Sequence, residues 1–245
     1  MKAKKYLSVL IAVALIWTLV ASTEKITAET YSIFVYIGLG LILVALFAYQ
    51  IKLRASAIKM ITNDMNPEKF LAAFQDLDGN KYSTDRYILE ALALILSGNF
   101  IKAESLLNNV RNKKDVEIKA EALLILSYYF SGNCTLILET ADSLIKHCNS
   151  QKNNKYEHYT YFAQLINALA SGNAVAPQIA EKYFNSLPKK NLVEVCIASY
   201  IIGEIKLRSG ETDKAISLFE NVINSGGNST ILFDKASEKL NDCRK

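Results

Sequence analysis

The sequence is poor in residues that break helices and in patterns that build sheets. Its 245 residues include only three prolines and ten glycines. Proline is excluded from helix interiors because it removes a backbone donor and clashes with the preceding turn. No stretch alternates apolar and polar side chains for long enough to indicate a β-strand. These scarcities predict an all-α chain.

Residues that commonly carry chemistry are also scarce. The only histidines are His147 and His158, and the four cysteines share no CxxC pattern, whereas zinc sites usually show tightly spaced ligand pairs. The glycines occur singly apart from Gly226-Gly227, so no glycine-rich phosphate loop is present. We therefore expect no catalytic residue, no metal site and no cofactor, with both histidines at the surface or at helix ends.

The cysteines, Cys134, Cys148, Cys196 and Cys243, each lie in or beside a helical apolar pattern. Free cysteine behaves as a small hydrophobic residue, so we expect buried free thiols. A disulfide framework is not expected in so large a helical chain. Unpaired thiols favour a reducing compartment.

Excess charge is small. Four of the 28 basic residues and two of the 24 acidic residues precede Ile51, so the rest of the chain carries a formal charge of only +2. A nearly neutral domain lacks the basic footprint of a nucleic-acid-binding protein. We expect no nucleic-acid partner.

Apolar residues are concentrated in two runs near the start of the chain. The first, Tyr6 to Ala21, would cover about 24 Å as a helix, which is short for a hydrocarbon core of about 30 Å. It is therefore either a short span or a cleaved signal peptide. The second, Tyr31 to Gln50, contains twenty uncharged residues and matches a full span. We predict a transmembrane hairpin over residues 1–52, with helices at about 6–22 and 31–51.

Charged flanks predict the orientation of this hairpin. Lysines at positions 2, 4 and 5 precede the first run, and Lys52, Arg54 and Lys59 follow the second. By the positive-inside rule, both termini are cytoplasmic in a multi-pass protein of the cell membrane. The cleaved-signal alternative also leaves the rest of the chain in the cytoplasm.

Residues 53–82 are predicted to form juxtamembrane and capping helices. Asn66-Pro67 indicates a helix start, because asparagine is a good N-cap and proline is preferred at the first helical position. Apolar residues at Phe70, Phe74 and Leu77 then give this helix one apolar face before Gly79.

An internal repeat occupies the remaining residues, 83–245. Ser-Gly-Asn occurs around Gly98, Gly132 and Gly172, and Ser209-Gly210-Glu211 follows, at spacings of 34, 40 and 38 residues. An apolar pattern of helical period lies on both sides of each glycine. This period is typical of helical hairpins that stack to bury a shared core. We predict eight helices in four hairpins, and a closing helix from about Thr230 to Cys243.

The hairpin at Gly210 is the clearest copy. Small residues at Gly203 and Ala215 lie where its two helices must approach, and Phe219 lies one turn after the alanine to fill the space between them. With their spacings, these four residues resemble the signature of the tetratricopeptide repeat family. Ala91, Gly98, Ala103 and Leu107 match nearly as well.

The other two repeats depart from the signature. The second has Ile125 and Ile137 where small residues are expected, and the third recovers its spacing, from Ala180 to Phe184, only after a three-residue slip that follows Pro177. The resemblance covers about Ser83 to Asp242. It implies a solenoid of about four repeats with a C-terminal capping helix.

In this family the first helices of successive repeats line a concave surface. The resemblance maps a candidate peptide-binding groove here, with Lys119, Tyr129, Tyr159, Phe162, Tyr200, Glu204 and Arg208 as its main residues. An alternative is that these side chains are core, covered by the helix from Pro67 to Leu77. A lined groove would accept an amphipathic helix or an extended peptide.

Together these features predict a membrane-anchored adaptor or scaffold that binds a protein or peptide partner at the cytoplasmic face of the bilayer, without catalysis. The alternative is a structural or assembly subunit of a membrane complex, acting mainly through its transmembrane helices and self-association.

Overall fold

A computed structural model describes residues 28–75, 84–113, 116–151, 156–175, 177–187 and 191–244. These residues form eleven elements, and every one is an α-helix. The chain divides into two compact units, and the boundary between them in the sequence lies between Ser56 and Ala57. The helices are α1 (Ala28–Thr62), α2 (Pro67–Gln75), α3 (Thr84–Leu96), α4 (Phe100–Asn108), α5 (Glu117–Ser131), α6 (Cys134–Ser150), α7 (Glu157–Ser171), α8 (Pro177–Ser186), α9 (Leu192–Arg208), α10 (Thr212–Asn224) and α11 (Ile231–Cys243).

Helix α1 contains the second predicted span and continues without a break beyond it. Its stretch Gly40–Thr62, 23 residues long, is long and apolar enough to cross a membrane, and is the one such stretch in the described part of the chain. Leu43, Val44 and Phe47 in this helix are each more than 60% exposed. The first predicted span, 6–22, lies outside the described residues.

The C-terminal end of α1 enters the core of the second unit through Ile61, which is fully buried, and the chain then turns at Met65. Asn66 caps α2 as predicted, because its Oδ1 accepts a hydrogen bond of 3.0 Å from the Lys69 amide. Pro67 is the first residue of α2. The predicted end of this helix, at Gly79, lies outside the described residues.

The following helices form four hairpins: α3 with α4, α5 with α6, α7 with α8, and α9 with α10. A glycine follows the first helix of each hairpin and has a φ of +73° to +78°. Glycine is the usual residue for this left-handed conformation at a helix end. The four helix ends predicted from the Ser-Gly pattern are therefore confirmed.

The first helices of the hairpins pack side by side, since α3 contacts α5, α5 contacts α7, and α7 contacts α9, while α11 packs on α9 and α10. Helix α11 also contacts α3. At the same end, Met65 packs on the loop before α11, where a Cβ added to Gly227 would lie 2.9 Å from the Met65 Cε. Membership of the tetratricopeptide repeat class stays a prediction.

The predicted close approach at the fourth hairpin is confirmed. A Cβ added to Gly203 would lie 2.7 Å from Cε1 of Phe219, a distance at which side-chain carbons overlap. Phe219 and Ala215 are both fully buried. The glycine therefore makes room for the aromatic ring between α9 and α10.

Two predictions about individual side chains were wrong. Phe184 is 43% exposed, whereas its neighbour Tyr183 is buried against Phe162, with ring centroids 6.0 Å apart. The third hairpin thus uses the i, i+3 pair of Ala180 and Tyr183 on its inner face. Cys134 is exposed because it is the first residue of α6, directly after a turn.

The remaining cysteines differ in exposure. Cys148 and Cys196 are buried, Cys243 is intermediate, and all four thiols are free. In the second hairpin, Ile125 and Ile137 are fully buried at the positions where the repeat signature has small residues. The helices accommodate their larger side chains within the core.

Candidate functional site

A partly open cavity of about 220 Å³ lies along the first helices of the four hairpins. We call it the hairpin cavity. Its apolar lining residues are Ile88, Leu89, Leu92, Ala122, Leu123, Leu126, Phe162, Leu187, Val193 and Ile197. Its polar lining residues are Thr62, Lys119, His158, Tyr159, Tyr183, Asn191 and Glu194.

Three of the seven predicted groove residues, Lys119, Tyr159 and Phe162, line the hairpin cavity. Phe162 is buried, so it forms part of the wall, and the other two are half-buried. The helix predicted to cover the groove packs against α3. None of the α2 side chains that are described belongs to the lining, to which the end of α1 contributes Thr62.

The polar part of the cavity is organised around Glu194 in the first turn of α9. Burial raises the pKa of this carboxyl, while a hydrogen bond from Asn191 and the charge of Lys119 act in the opposite direction. Its Oε2 is buried and has no hydrogen-bond partner among the described residues. Sequence reasoning missed Glu194, because an acidic residue in a first helical turn is ordinarily explained by the helix dipole.

Two tyrosines of the lining lie near this carboxyl. Burial is the main cause that raises the pKa of Tyr159 and of Tyr183, and the negative charge of Glu194 raises both further. The Tyr159 ring also packs against His158, with ring centroids 4.0 Å apart. Both phenols therefore stay protonated at neutral pH, and their rings form an aromatic part of the cavity wall.

Three other predicted groove residues form a separate cluster, in which Tyr200 and Glu204 are buried and Tyr129 is half-buried. The Tyr129 hydroxyl donates to Glu204 Oε2, and Lys239 Nζ lies 2.6 Å from Glu204 Oε1. The Tyr129 and Tyr200 rings meet edge to face at 6.4 Å. This cluster joins α5, α9 and α11, which places the three predicted residues inside the fold.

Burial raises the pKa of Tyr129 and of Tyr200, and the charge of Glu204 raises both further. Each phenol is therefore a hydrogen-bond donor at neutral pH. The Tyr129 hydroxyl is suited to satisfy the buried carboxylate, and the aromatic rings fill the space around it.

Arg208, the last predicted groove residue, lies apart from both groups at the end of α9. Its Nη1 donates to the Leu169 carbonyl at 2.7 Å, in the last turn of α7. A cation at this position satisfies a free carbonyl and complements the negative end of the helix dipole. Arg208 thus links the ends of two neighbouring helices.

A second buried acidic residue was not anticipated from the sequence. Glu121 of α5 is 1% exposed, accepts a hydrogen bond from Ser143 at 2.8 Å, and lies 2.8 Å from His147 Nδ1 and 3.8 Å from Arg111 Nη2. His147 occupies the last turn of α6, as predicted for a helix-end histidine, and is 39% exposed. The group connects α5 and α6 with the segment that follows α4.

Within the ranges that the structure describes, no three His, Cys, Asp or Glu side chains come together in a group that could hold a metal ion. The hairpin cavity offers apolar contact together with one carboxyl, one lysine, one histidine and protonated phenols. Such a set can bind and orient another group. No family model, curated protein or solved structure matches this chain.

Proposed function

We propose that this chain is a membrane-anchored scaffold of the tetratricopeptide-like type that holds a protein partner at the cytoplasmic face of the bilayer. The observation that carries the proposal is the hairpin cavity, which is partly open and is built from the first helices of all four hairpins. Ligand sites are concave and mostly apolar, with a few placed polar groups. The hairpin cavity has this composition.

Helix α1 supports the membrane anchor. The window that makes Gly40–Thr62 apolar enough to cross a bilayer is only 6% buried in the protein. A helix that is apolar and unburied is most stable in lipid. Lys52, Arg54 and Lys59 follow its most apolar part, and by the positive-inside rule they favour a cytoplasmic location for the helices that follow.

The hairpins support a repeat scaffold. Each uses a left-handed glycine between its helices, and the fourth adds the close contact of Gly203 with Phe219. Neighbouring first helices contact one another along the array. Arrays of this kind present a continuous surface to extended partners.

The polar groups of the cavity support binding without catalysis. The pKa of Tyr159 and of Tyr183 is raised by burial, so neither phenol ionises at neutral pH to act as a nucleophile or base. Phe162 and Ile197 are buried and form part of the cavity wall. Contact with an apolar anchor residue of a partner is the function that this lining serves best.

Site-specific photocrosslinking in native membranes tests the proposal. A photoreactive residue at Leu123, which lines the cavity, should crosslink to a discrete partner protein. The same group at Ile101 serves as the matched control, because Ile101 lies on α4, is 84% exposed and does not line the cavity. Ala122→Leu, which fills part of the cavity, should reduce the adduct at Leu123. Equal adducts at both positions, or an adduct unaffected by Ala122→Leu, would contradict the proposal.

A second candidate function is assembly within the membrane. It is favoured by the exposed apolar side chains of α1 and by Gly40, where an added Cβ would meet no atom within 4 Å. Small residues let transmembrane helices approach closely. A photoreactive residue at Leu43 should then give adducts with another membrane helix. The absence of such adducts would contradict this second function.

A further inference from the structure

Two phenol hydroxyls in the hairpin cavity have no hydrogen-bond partner in the described part of the chain. Tyr159 and Tyr183 both line the cavity, and Tyr183 is only 4% exposed. No hydrogen bond to either hydroxyl is formed by the described residues. Both oxygens keep accessible surface, in contrast to Glu194 Oε2, which is closed off. Since buried hydroxyls are ordinarily hydrogen-bonded, a ligand in the cavity would complete these two.

The other polar groups of the lining already have partners. Thr62 Oγ1 donates to a carbonyl of its own helix at 3.0 Å. Asn191 hydrogen-bonds the Glu194 carboxyl, and its Oδ1 accepts from the Glu194 amide at 3.5 Å. Lys119 and Glu194 interact through their charges, and His158 packs on a phenol ring with centroids 4.0 Å apart. The two phenols are therefore the groups best placed to hydrogen-bond a ligand.

Lys119 and Glu194 also determine which ligand charge the cavity accepts. They provide the one ammonium and the one carboxyl of the lining, and the lysine charge favours ionisation of the carboxyl. The positive charge opposes a cationic ligand, and the negative charge opposes an anionic one. Burying a charge costs free energy unless the charge is paired. Because the two charges of the cavity compensate each other, a neutral ligand is favoured.

Polar and apolar lining residues occupy successive turns of the same helices. Lys119 and Tyr159 lie in the first turns of α5 and α7. Leu126 and Phe162 follow them by about 10 Å and about 4.5 Å along these helices. A cavity of about 150 Å³ holds a benzene ring, and the hairpin cavity is about 220 Å³. It therefore has room for a short apolar chain that ends in a polar group.

We propose that the hairpin cavity binds a neutral carbonyl group on an apolar chain, with the carbonyl oxygen accepting hydrogen bonds from the Tyr159 and Tyr183 hydroxyls. The chain lies along Leu126, Phe162 and Ile197. The two phenols are near each other, since the charge of an ionised Tyr159 would raise the pKa of Tyr183, and a carbonyl oxygen has two lone pairs. The carbonyl has two sources, the backbone of a partner protein beside an apolar side chain, or a free ketone, ester or amide. The partner source rests on the proposed function, and the free source does not.

Methyl NMR on the full chain in lipid nanodiscs tests the preference for a neutral ligand. The probes are 2-heptanone, hexanoate and hexylammonium at pH 8, where an ordinary histidine is neutral. The methyl resonances of Leu126, Val193 and Ile197 should shift saturably with 2-heptanone, at about a tenfold lower Kd than with either ion. An equal or lower Kd for either ion would overturn the proposal.

Tyr159→Phe and Tyr183→Phe test the hydrogen bonds. Each should raise the Kd of 2-heptanone about fivefold, through the loss of one hydrogen bond. Urea unfolding should stay unchanged, because neither hydroxyl bonds to the described residues. Tyr161→Phe is the matched control on α7, since its hydroxyl bonds Glu157 outside the lining, and it should leave the Kd unchanged. An unchanged Kd in either lining variant, or a loss of stability that assigns the hydroxyl to the fold, would overturn the proposal.

Competition with the crosslink at Leu123 separates the two sources. Loss of the partner adduct at saturating 2-heptanone supports a partner carbonyl in the cavity. An adduct that persists while 2-heptanone is bound supports a free carbonyl compound and overturns the partner source. Binding of 2-heptanone without any partner adduct contradicts the proposed function alone, whereas an adduct without 2-heptanone binding contradicts the present inference alone.

Discussion

Gly203 and Glu194 lie in the same helix, α9, but have opposite effects on the stability of the fold. Gly203 provides space, because the ring of Phe219 occupies the volume that a side chain would need. Glu194 provides an unpaired acceptor within an apolar lining. The first residue serves packing, and its replacement should be felt in stability. The second lowers stability, because a buried acceptor without a hydrogen-bond partner costs free energy.

Gly203→Ala should destabilise the protein. Overpacking of a core costs about 1–3 kcal/mol, which exceeds the gain of about 0.5–1 kcal/mol expected for alanine over glycine in a helix. Chemical denaturation of the full chain, followed by circular dichroism, measures the difference. Gly40→Ala is the control, because an added Cβ there meets nothing within 4 Å. The double variant Gly203→Ala/Phe219→Leu should lose less stability than the sum of the losses in the two single variants. Simple additivity would refute the steric explanation.

Glu194 should make stability depend on pH. Burial raises its folded-state pKa above 4.5, so the folded state holds its proton more tightly than the unfolded state does. The resulting stabilisation is present below pH 4.5 and is lost as pH rises through the folded pKa. Thermal unfolding from pH 4 to pH 8 should therefore show Glu194→Gln gaining stability relative to the unaltered chain as pH rises. Glu181→Gln should follow the unaltered chain, and a constant difference for Glu194→Gln would contradict this account.

At the scale of the elements, the Tyr129, Glu204 and Lys239 side chains connect α5, α9 and α11. Glu204 is 8% exposed and accepts from both partners. Buried charges are stable only when paired and hydrogen-bonded. The connection therefore acts as a unit, and the loss of one member should affect the others.

Glu204→Ala should cost about 3 kcal/mol, because it leaves the Lys239 charge and the Tyr129 hydroxyl without a partner. Tyr129→Phe should cost about 1.5 kcal/mol, the value for one hydrogen bond to a charged group. Urea unfolding of single and double variants measures the coupling. Lys235→Ala, which removes the exposed pair with Glu238, should change stability by less than about 1 kcal/mol. If Glu204→Ala lowers stability by no more than this control substitution does, the cluster does not contribute to the stability of the fold.

The sequence predicted the order of the helices well, because glycine at a helix end and apolar spacing are local signals. Gly98, Gly132, Gly172 and Gly210 all have the left-handed conformation that ends a first helix. Which aromatic residues face a groove is a different matter, since it depends on the neighbouring hairpins. Phe162, ten residues before Gly172, lines the cavity, whereas Tyr200, ten residues before Gly210, is covered by α5 and α10.

Rotation of a helix about its axis was the main source of error. A period of 3.6 residues does not distinguish Tyr183 from Phe184 when both follow Ala180 by about one turn. The structure buries the first and exposes the second. Glu194 and Glu121 were missed for a related reason. Their burial comes from contacts with other helices, so the local sequence carries no sign of it.

At the scale of the whole molecule, the proposed membrane topology can be tested with a native residue. Cys134 is exposed, whereas Cys148 and Cys196 are buried. If these helices are cytoplasmic, a membrane-impermeant maleimide should modify Cys134 only after the cells are permeabilised. Cys134→Ser should remove most of the signal, leaving Cys243 as the slower site. Modification of Cys134 in intact cells would reverse the proposed topology.

The contacts of Met65 with Gly227, and of α3 with α11, affect how the chain can be made and altered. Met65 and Gly227 are 162 residues apart in the sequence, so during synthesis the earlier segment waits for its partner until the four hairpins between them have been made. Long-range contacts of this kind slow folding. An additional hairpin inserted between α3 and α11 would have to separate these two helices. The contact between them therefore opposes a change in the number of hairpins.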